Sequence, residues 1–392
     1  MRTVGIICEC NPFHGGHEYL IGRAKESGAD AVICVMSGYF VQRGEAAIAP
    51  AHLRAEALLE GGADAVLELP FPFCSSGAEF FASAGVEILD RLGVGELWFG
   101  SECGEITRLD RLSALADTEA FRADYSAATR GNGGTAKEYL DRLCALAGDG
   151  EPLSSNDILG IAYLRALRAR DSSMRAVTVK REGSAYRDGE ITAGKYPSAT
   201  ALRRIWREEG LEAMLTRLPE QTREIYRREH PPLADLALAE LLILGHLRLT
   251  SPEALEAIAE LGGGLGNRLA ECAREARTFD ELLSLAATKK YPNARVRRGI
   301  LFALTGIRDG DLRASPAYVR LLAANAKGRQ FLAETRREQT IPVVTRRTDL
   351  PSRAEAERQA EWERRAFALY SLCLPTPCSE TSLWTRGVVI KK

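Results

Sequence analysis

The sequence predicts an α/β fold: a Rossmann-like parallel sheet within residues 1–210, followed by a mainly α-helical domain over 211–392. Three observations predict it. Apolar runs alternate with helical patterns through about residue 105, the first run breaks into a glycine-rich turn at Asn11-Pro12, and strand signals almost vanish beyond residue 210. A chain of 392 residues is long enough for two such units.

Taken in order, residues 4–8, 31–36, 65–69 and 96–99 read as strands, because each is a short, largely apolar run. Helices are expected between them at 17–27, 51–61 and 77–91, then at 107–127, 134–147 and 157–170. A further strand at 176–179 leads into Lys180-Arg181-Glu182-Gly183, and the polar, glycine-rich stretch 184–197 is expected to form a mobile loop over the site. Ser198 then supplies an N-cap for the next helix. Beyond residue 210, helical periodicity marks 233–247, 252–261, 266–276, 279–287, 294–304, 316–326 and 354–372, with 341–344 as the one short strand. Gly262-Gly263-Gly264-Leu265-Gly266 has no strand before it and reads as a helix–helix turn.

Formal net charge is −1, so whole-chain charge neither favours nor excludes nucleic acid, and any RNA contact must come from local basic clusters. No run approaches the roughly 20 apolar residues of a membrane span, and Met1-Arg2-Thr3 leads straight into a strand without signal-peptide layout, so a cytoplasmic protein is expected. Nine scattered cysteines argue against a disulfide framework. Cys8-x-Cys10 lacks a second Cys/His pair, which disfavours zinc, and the two thiols are expected to alternate along one strand and face the same side.

The most informative stretch is Gly5 to His17, GIICECNPFHGGH. Pro12 stops the strand, and Gly15 and Gly16 let backbone approach a ligand where a helix begins. A helix N-terminus offers free N–H groups and partial positive charge, which suits a triphosphate. His14 and His17, three residues apart on that first turn, can donate to phosphate oxygens as charge builds at the α-phosphorus. A lone histidine here would be read as a helix cap. Two of the chain's five histidines in one such loop favour the nucleotide reading.

A second feature is Ser198-Ala199-Thr200-Ala201-Leu202-Arg203 at a helix start, where hydroxyls and N–H groups can hold outgoing pyrophosphate and Arg203 can neutralise it. By itself it is an ordinary capped helix. Together, His14-x-Gly16-His17 and this Ser/Thr-rich, Arg-ending run resemble the nucleotidylyltransferase superfamily, whose first motif is HxGH. The lysine-rich loop of class I aminoacyl-tRNA synthetases is absent, and simple nucleotidylyltransferases leave the long helical tail unexplained.

More closely, the whole chain resembles the bacterial tRNA(Met) cytidine acetate ligase family, whose signature reads GxxxEYNPFHNGH. Glu9, Asn11, Pro12, Phe13, His14, Gly16 and His17 match it, with Cys10 standing for tyrosine and Gly15 for asparagine. The likeness continues through Met36-Ser37-Gly38, Gln42-Arg43-Gly44, Phe99-Gly100-Ser101-Glu102, Ser155-Asn156-Asp157 and Lys180-Arg181 to Lys289–Arg298. The resemblance implies that ATP activates acetate as acetyl-adenylate, with Mg2+ entering on the triphosphate and needing no dedicated protein ligands. The acetyl group then passes to N4 of the wobble cytidine, position 34, of elongator tRNA(Met). It further implies an ATP site of Ile7, Glu9, Asn11, Pro12, Phe13, His14, Gly16, His17, Gly100, Asn156, Arg181, Glu182, Ser198 and Thr200, with His14, His17 and Arg203 catalytic. Lys289, Lys290, Arg295, Arg297 and Arg298, with Tyr291 interleaved, offer cations for phosphates and an aromatic for an unpaired base. A small-molecule nucleotidylyltransferase and a non-catalytic RNA-binding protein on the same scaffold stay as alternatives, and the oligomeric state is open.

Overall fold

Strand β1 (Thr3–Cys8) is buried along its whole length, so it needs cover on both faces and belongs inside a sheet. A computed structural model, describing residues 1–129, 136–181 and 196–391, places it there. The sheet has eight strands in the order β5-β4-β1-β2-β3-β6-β7, with β8 also beside β6. These are β2 (Ala31–Ser37), β3 (Ala65–Leu69), β4 (Glu96–Ser101), β5 (Arg175–Lys180), β6 (Val319–Ala324), β7 (Val343–Val344) and β8 (Val389–Ile390). Strands β1 to β5 run parallel, with Ile6 opposite Cys34 of β2 and Gly5 opposite Leu97 of β4.

Alternation along these strands feeds two cores. Ile7, Ile33, Val35 and Leu67 join one, while Val4, Ile6, Val32, Cys34, Met36 and Val66 join the other. Helices α1 (Gly15–Glu26), α2 (Ala51–Glu60) and α3 (Ala78–Arg91) link the first four strands. Then come α4 (Ile106–Ala116), α5 (Glu119–Thr129), α6 (Ala136–Ala147), α7 (Ser155–Ala169) and, after β5, α8 (Ala199–Glu209). The single helix expected over 107–127 is thus two, divided at Asp117-Thr118. The stretch read as a mobile loop, 184–197, lies outside the described residues except for Tyr196 and Pro197.

The C-terminal half carries α9 (Leu211–Leu215), α10 (Glu220–Glu229), α11 (Glu240–Leu249), α12 (Pro252–Glu256), α13 (Leu265–Glu275), α14 (Phe279–Ala286) and α15 (Asn293–Thr305). It continues through α16 (Asp309–Leu312), α17 (Ala326–Glu334) and α18 (Ala354–Leu372). Gly262–Gly264 of the glycine run lie in the turn between α12 and α13, as expected, while Leu265 and Gly266 already open α13. The helix expected over 316–326 is not there. Its core is β6, antiparallel to β3 with Ala65 opposite Ala324. The leucines and alanines of that segment satisfy helical and strand periods alike, and the open edge of β3 decides the outcome through main-chain pairing. Arg320 on β6, buried, pairs with buried Glu68 of β3 at 2.6 Å, which pins the register. The 341–344 strand is present as β7.

Strand order reverses at β1: the chain proceeds through β2 and β3 on one side, then returns to β4 and β5 on the other. In open parallel sheets the crevice outside the carboxyl ends of two such strands is where ligands bind. The loops after β1, β4 and β5 open there. Among the described residues no helix is long and apolar enough to cross a membrane.

Candidate nucleotide site

Beyond β1 the chain turns sharply, with Cys10 in the left-handed region at φ 48°. Cys8 and Cys10 therefore do not alternate along one strand as expected; their buried sulfurs meet at 3.5 Å. Asn11 is fully buried, its Oδ1 accepting from the Ile48 amide at 2.6 Å and its carbonyl from Arg203 Nη1 at 2.7 Å. Arg54 of α2, also buried, donates to the carbonyls of Glu9, Ser37, Gly38 and Ala49, tying the β1 and β2 loops together. The Glu9 carboxylate accepts from the Gln42 amide at 2.8 Å, and burial pushes its pKa up.

His14 is the N-cap of α1. Its Nδ1 accepts from the Gly16 amide at 3.0 Å, while His17 Nδ1 accepts from the His14 amide at 3.2 Å. Both rings use Nδ1 as acceptor, so each neutral imidazole carries its proton on Nε2. Capping and phosphate donation are thus compatible: the cap fixes the tautomer that leaves an Nε2–H donor free. The rings lie 4.0 Å apart, and Phe13 stacks on His17 at 5.6 Å. His14 is only 6% exposed. Burial, with the charges of His17, Arg181 and Arg203, holds His14 well below the usual imidazole range, and burial lowers His17 to about 4.

Folded His17 thus binds its proton less readily than an unfolded histidine of pKa about 6.5. The stability this contributes is complete above about pH 6.5 and lost as pH falls toward about 4. The melting temperature of the wild type should therefore drop more between pH 7 and pH 5 than that of His17→Gln. Parallel curves would show that the ring is not held neutral.

Across the switch point, Gly100 and Ser101 end β4 and Arg181 follows β5. Asn156, on the first turn of α7, donates through Nδ2 to Glu102 Oε1 at 2.5 Å, and Arg181 pairs with the same carboxylate at 3.7 Å. Buried Asp157 completes the frame by accepting the amides of Glu102 and Cys103, each at 3.1 Å. A Cβ on Gly100 would lie 3.1 Å from Arg181 Cγ, so the arginine stem lies over that glycine. The structure brings together Gly100, Asn156 and Arg181 as expected; Glu182 lies outside the described residues. Glu102, their shared partner, closes the Phe99–Glu102 run, where the sequence alone assigns it no role. Its Oε2 is buried without a hydrogen-bond partner.

The third wall is α8. Ser198 caps it, accepting from the Ala201 amide at 3.2 Å, and Thr200 follows half-buried on its first turn. Arg203, 5% exposed, gives Nη2 to Glu45 Oε2 at 2.5 Å besides its bond to Asn11, and its Nε is buried without a partner. Glu45 is a residue the sequence reading missed: its other oxygen takes Arg297 of α15 at 3.3 Å. Its signal was position alone, three residues after Gln42 in a strand-end loop. That loop is docked on α15, since Gly44 has φ 70° and a Cβ there would lie 2.6 Å from the Arg298 amide.

Comparison with known proteins bears on this geometry. A family model described as HIGH Nucleotidyl Transferase matches residues 1–383. The tRNA(Met) cytidine acetate ligase of Syntrophotalea carbinolica is 35% identical over 400 residues, covering 96% of this chain and 95% of that protein. That of Acetivibrio thermocellus is 33% identical with complete coverage of both. The chain belongs to the tRNA(Met) cytidine acetate ligase family. Among solved structures, apo Thermotoga maritima TmcAL superposes with TM-score 0.90 at 30% identity, covering 100% of this chain and 99% of that one. The same protein bound with α-thio ATP superposes with TM-score 0.88.

Within this acetate ligase family member, most of the basic cluster near α15, expected from the sequence to offer free cations to RNA, is engaged with the protein's own carbonyls and carboxylates. Arg295 donates to the Glu260 and Gly262 carbonyls, and Arg298 pairs with Glu260 at 2.8 Å and reaches the Gln42 carbonyl. Tyr291, expected as a platform for an unpaired base, is buried, and its hydroxyl donates to the Gly263 carbonyl at 2.5 Å. The glycine turn needs a donor there, which draws the ring inward between Lys290 and Arg295. Lys289 and Lys290 are exposed, and Lys290 Nζ donates to the Gly263 carbonyl at 3.0 Å.

Proposed function

We propose that this chain joins acetate to tRNA in two steps. An acetate oxygen attacks the α-phosphorus of ATP, the bond to the bridging oxygen breaks, and pyrophosphate leaves with the electron pair. N4 of the wobble cytidine of elongator tRNA(Met) then attacks the acetyl carbonyl; AMP departs and N4 loses a proton. The observation that carries the reading is the pair of capped, neutral histidines, each with a free Nε2–H, at a helix N-terminus on the sheet's switch point. End-to-end similarity to ligases of that name supports the acyl donor and the acceptor.

His14 and His17 would stabilise charge on the α-phosphate. Asn156, Glu102 and Arg181 would face the nucleoside, with Ile7, Gly16 and Gly100 giving it room. Arg203 and the start of α8, with Ser198 and Thr200, would face pyrophosphate. Mg2+ would enter chelated by triphosphate oxygens, the hard ligands it prefers. A cytoplasmic setting, where ATP and tRNA meet, fits this reading. Purified protein given ATP, labelled acetate and bulk tRNA should place label in RNA. Label released only as a small nucleotide would favour a small-molecule nucleotidylyltransferase, and RNA binding without ATP–pyrophosphate exchange a non-catalytic protein.

The sheet-bearing part within 1–210 would make the adenylate, and 211–392 would meet tRNA. Lys289 and Lys290, the exposed cations of the cluster, would meet phosphates there. Replacing both with glutamine should weaken tRNA binding and lower its salt slope by about two units, while acetate-driven exchange continues. Neutralising Arg297 or Arg298 is a different experiment, because both hold the 38–47 loop and should disturb exchange as well.

A further inference from the structure

An enzyme that acylates the exocyclic amine of an RNA base must hold that base out of its stack, and proteins do so with an exposed aromatic face. Tyr291 is buried and cannot serve. Among the described residues, one Phe, Tyr or Trp side chain is exposed: Tyr196, at 41%. It lies against the site. A Cβ built on Gly15 would come 2.1 Å from Tyr196 Cδ1 and 2.6 Å from Cε1, so the ring rests on the backbone of the residue just after His14. Tyr196 also stands two residues before Ser198, the N-cap of α8. The ring thus spans the gap between the histidine loop and the start of the Arg203 helix.

We propose that Tyr196 is the stacking platform for the acceptor base, an unpaired pyrimidine of RNA. The inference rests on the acetyl-transfer reading. The chemistry fits the position: an aromatic face beside the adenylate site orients the base plane while leaving its amine edge free to approach the acetyl carbonyl. Gly15 belongs to the same device. Any side chain at that position would collide with the ring, so the glycine is what lets Tyr196 lie over α1.

The test uses the full-length protein and a tRNA anticodon stem-loop, with a fluorescent cytidine analogue at the target position for the binding arm. Tyr196→Ala should weaken stem-loop binding by about 10-fold or more, the loss of one stacked base, and abolish quenching of the analogue. Tyr196→Phe should keep both. Acetate-dependent ATP–pyrophosphate exchange should fall far less than transfer in Tyr196→Ala. Gly15→Asn, which displaces the ring, should weaken stem-loop binding in the wild type and add little further loss in Tyr196→Ala. Parallel loss of exchange and transfer would overturn the proposal by assigning the ring to the nucleotide. Unchanged quenching in Tyr196→Ala would overturn it outright. If wild-type protein carries out exchange but never labels RNA, the acetyl-transfer reading itself fails, a distinct result.

Discussion

His17→Ala should slow acetate-dependent ATP–pyrophosphate exchange by about 100-fold to 1000-fold, the effect of losing one donor aimed at developing charge. The ring is held by its Nδ1 bond to the His14 amide and by stacking on Phe13, so its Nε2–H is pre-positioned and costs nothing to orient. His14→Ala should lose a comparable factor and also the N-cap of α1, about 1 kcal/mol of stability. His14→Asn separates the two effects: asparagine caps well but cannot extend a donor as far as Nε2. That variant should melt near the wild type and still be slow. Exchange within a few-fold of wild type in His17→Ala and His14→Asn would remove the histidines from the chemistry.

The second large effect is expected at Arg203. Its guanidinium joins three pieces of the site, the Asn11 carbonyl, the Glu45 carboxylate and α8, while buried. Arg203→Ala leaves Glu45 with Arg297 alone and should cost about 3 kcal/mol of folding stability, the low end for breaking a buried pair. It should also cut exchange and weaken ATP binding, because the turn before the histidines loses its anchor. Arg203→Lys keeps the charge but not the fork, and should recover stability more than exchange. Denaturant titration beside exchange kinetics checks both. Normal ATP binding with lost tRNA binding would show that the Ser198–Arg203 segment serves the other ligand.

Much of this arrangement was legible in the residues. The strand-turn-helix at Gly5–His17 declares itself because proline, two glycines and two histidines leave few other uses for the segment. The capped start at Ser198 follows from one hydroxyl at the right spacing. What was not legible depends on partners distant in sequence. Arg320 in 316–326 is a surface residue of a helix until Glu68, 252 positions away, is known to face it. Tyr291 and Arg295–Arg298 look like an RNA face because the carbonyls and carboxylates that occupy them, on Glu260, Gly262, Gly263, Gln42 and Glu45, are separated from them in the chain. Glu102 and Glu45 stand in strand-end loops whose pattern assigns them no partner; only the crevice shows that each accepts from two groups.

The antiparallel seat of β6 against β3 joins segments made far apart in time during synthesis. When residue 210 has been made, β3 is a sheet edge with unpaired main-chain groups, and its cover lies more than a hundred residues ahead. The β3 edge must wait, exposed, for a strand synthesised late. A fragment of residues 1–210 should accordingly be poorly soluble and inactive in exchange, and co-expression of 211–392 should rescue it by delivering β6 in trans.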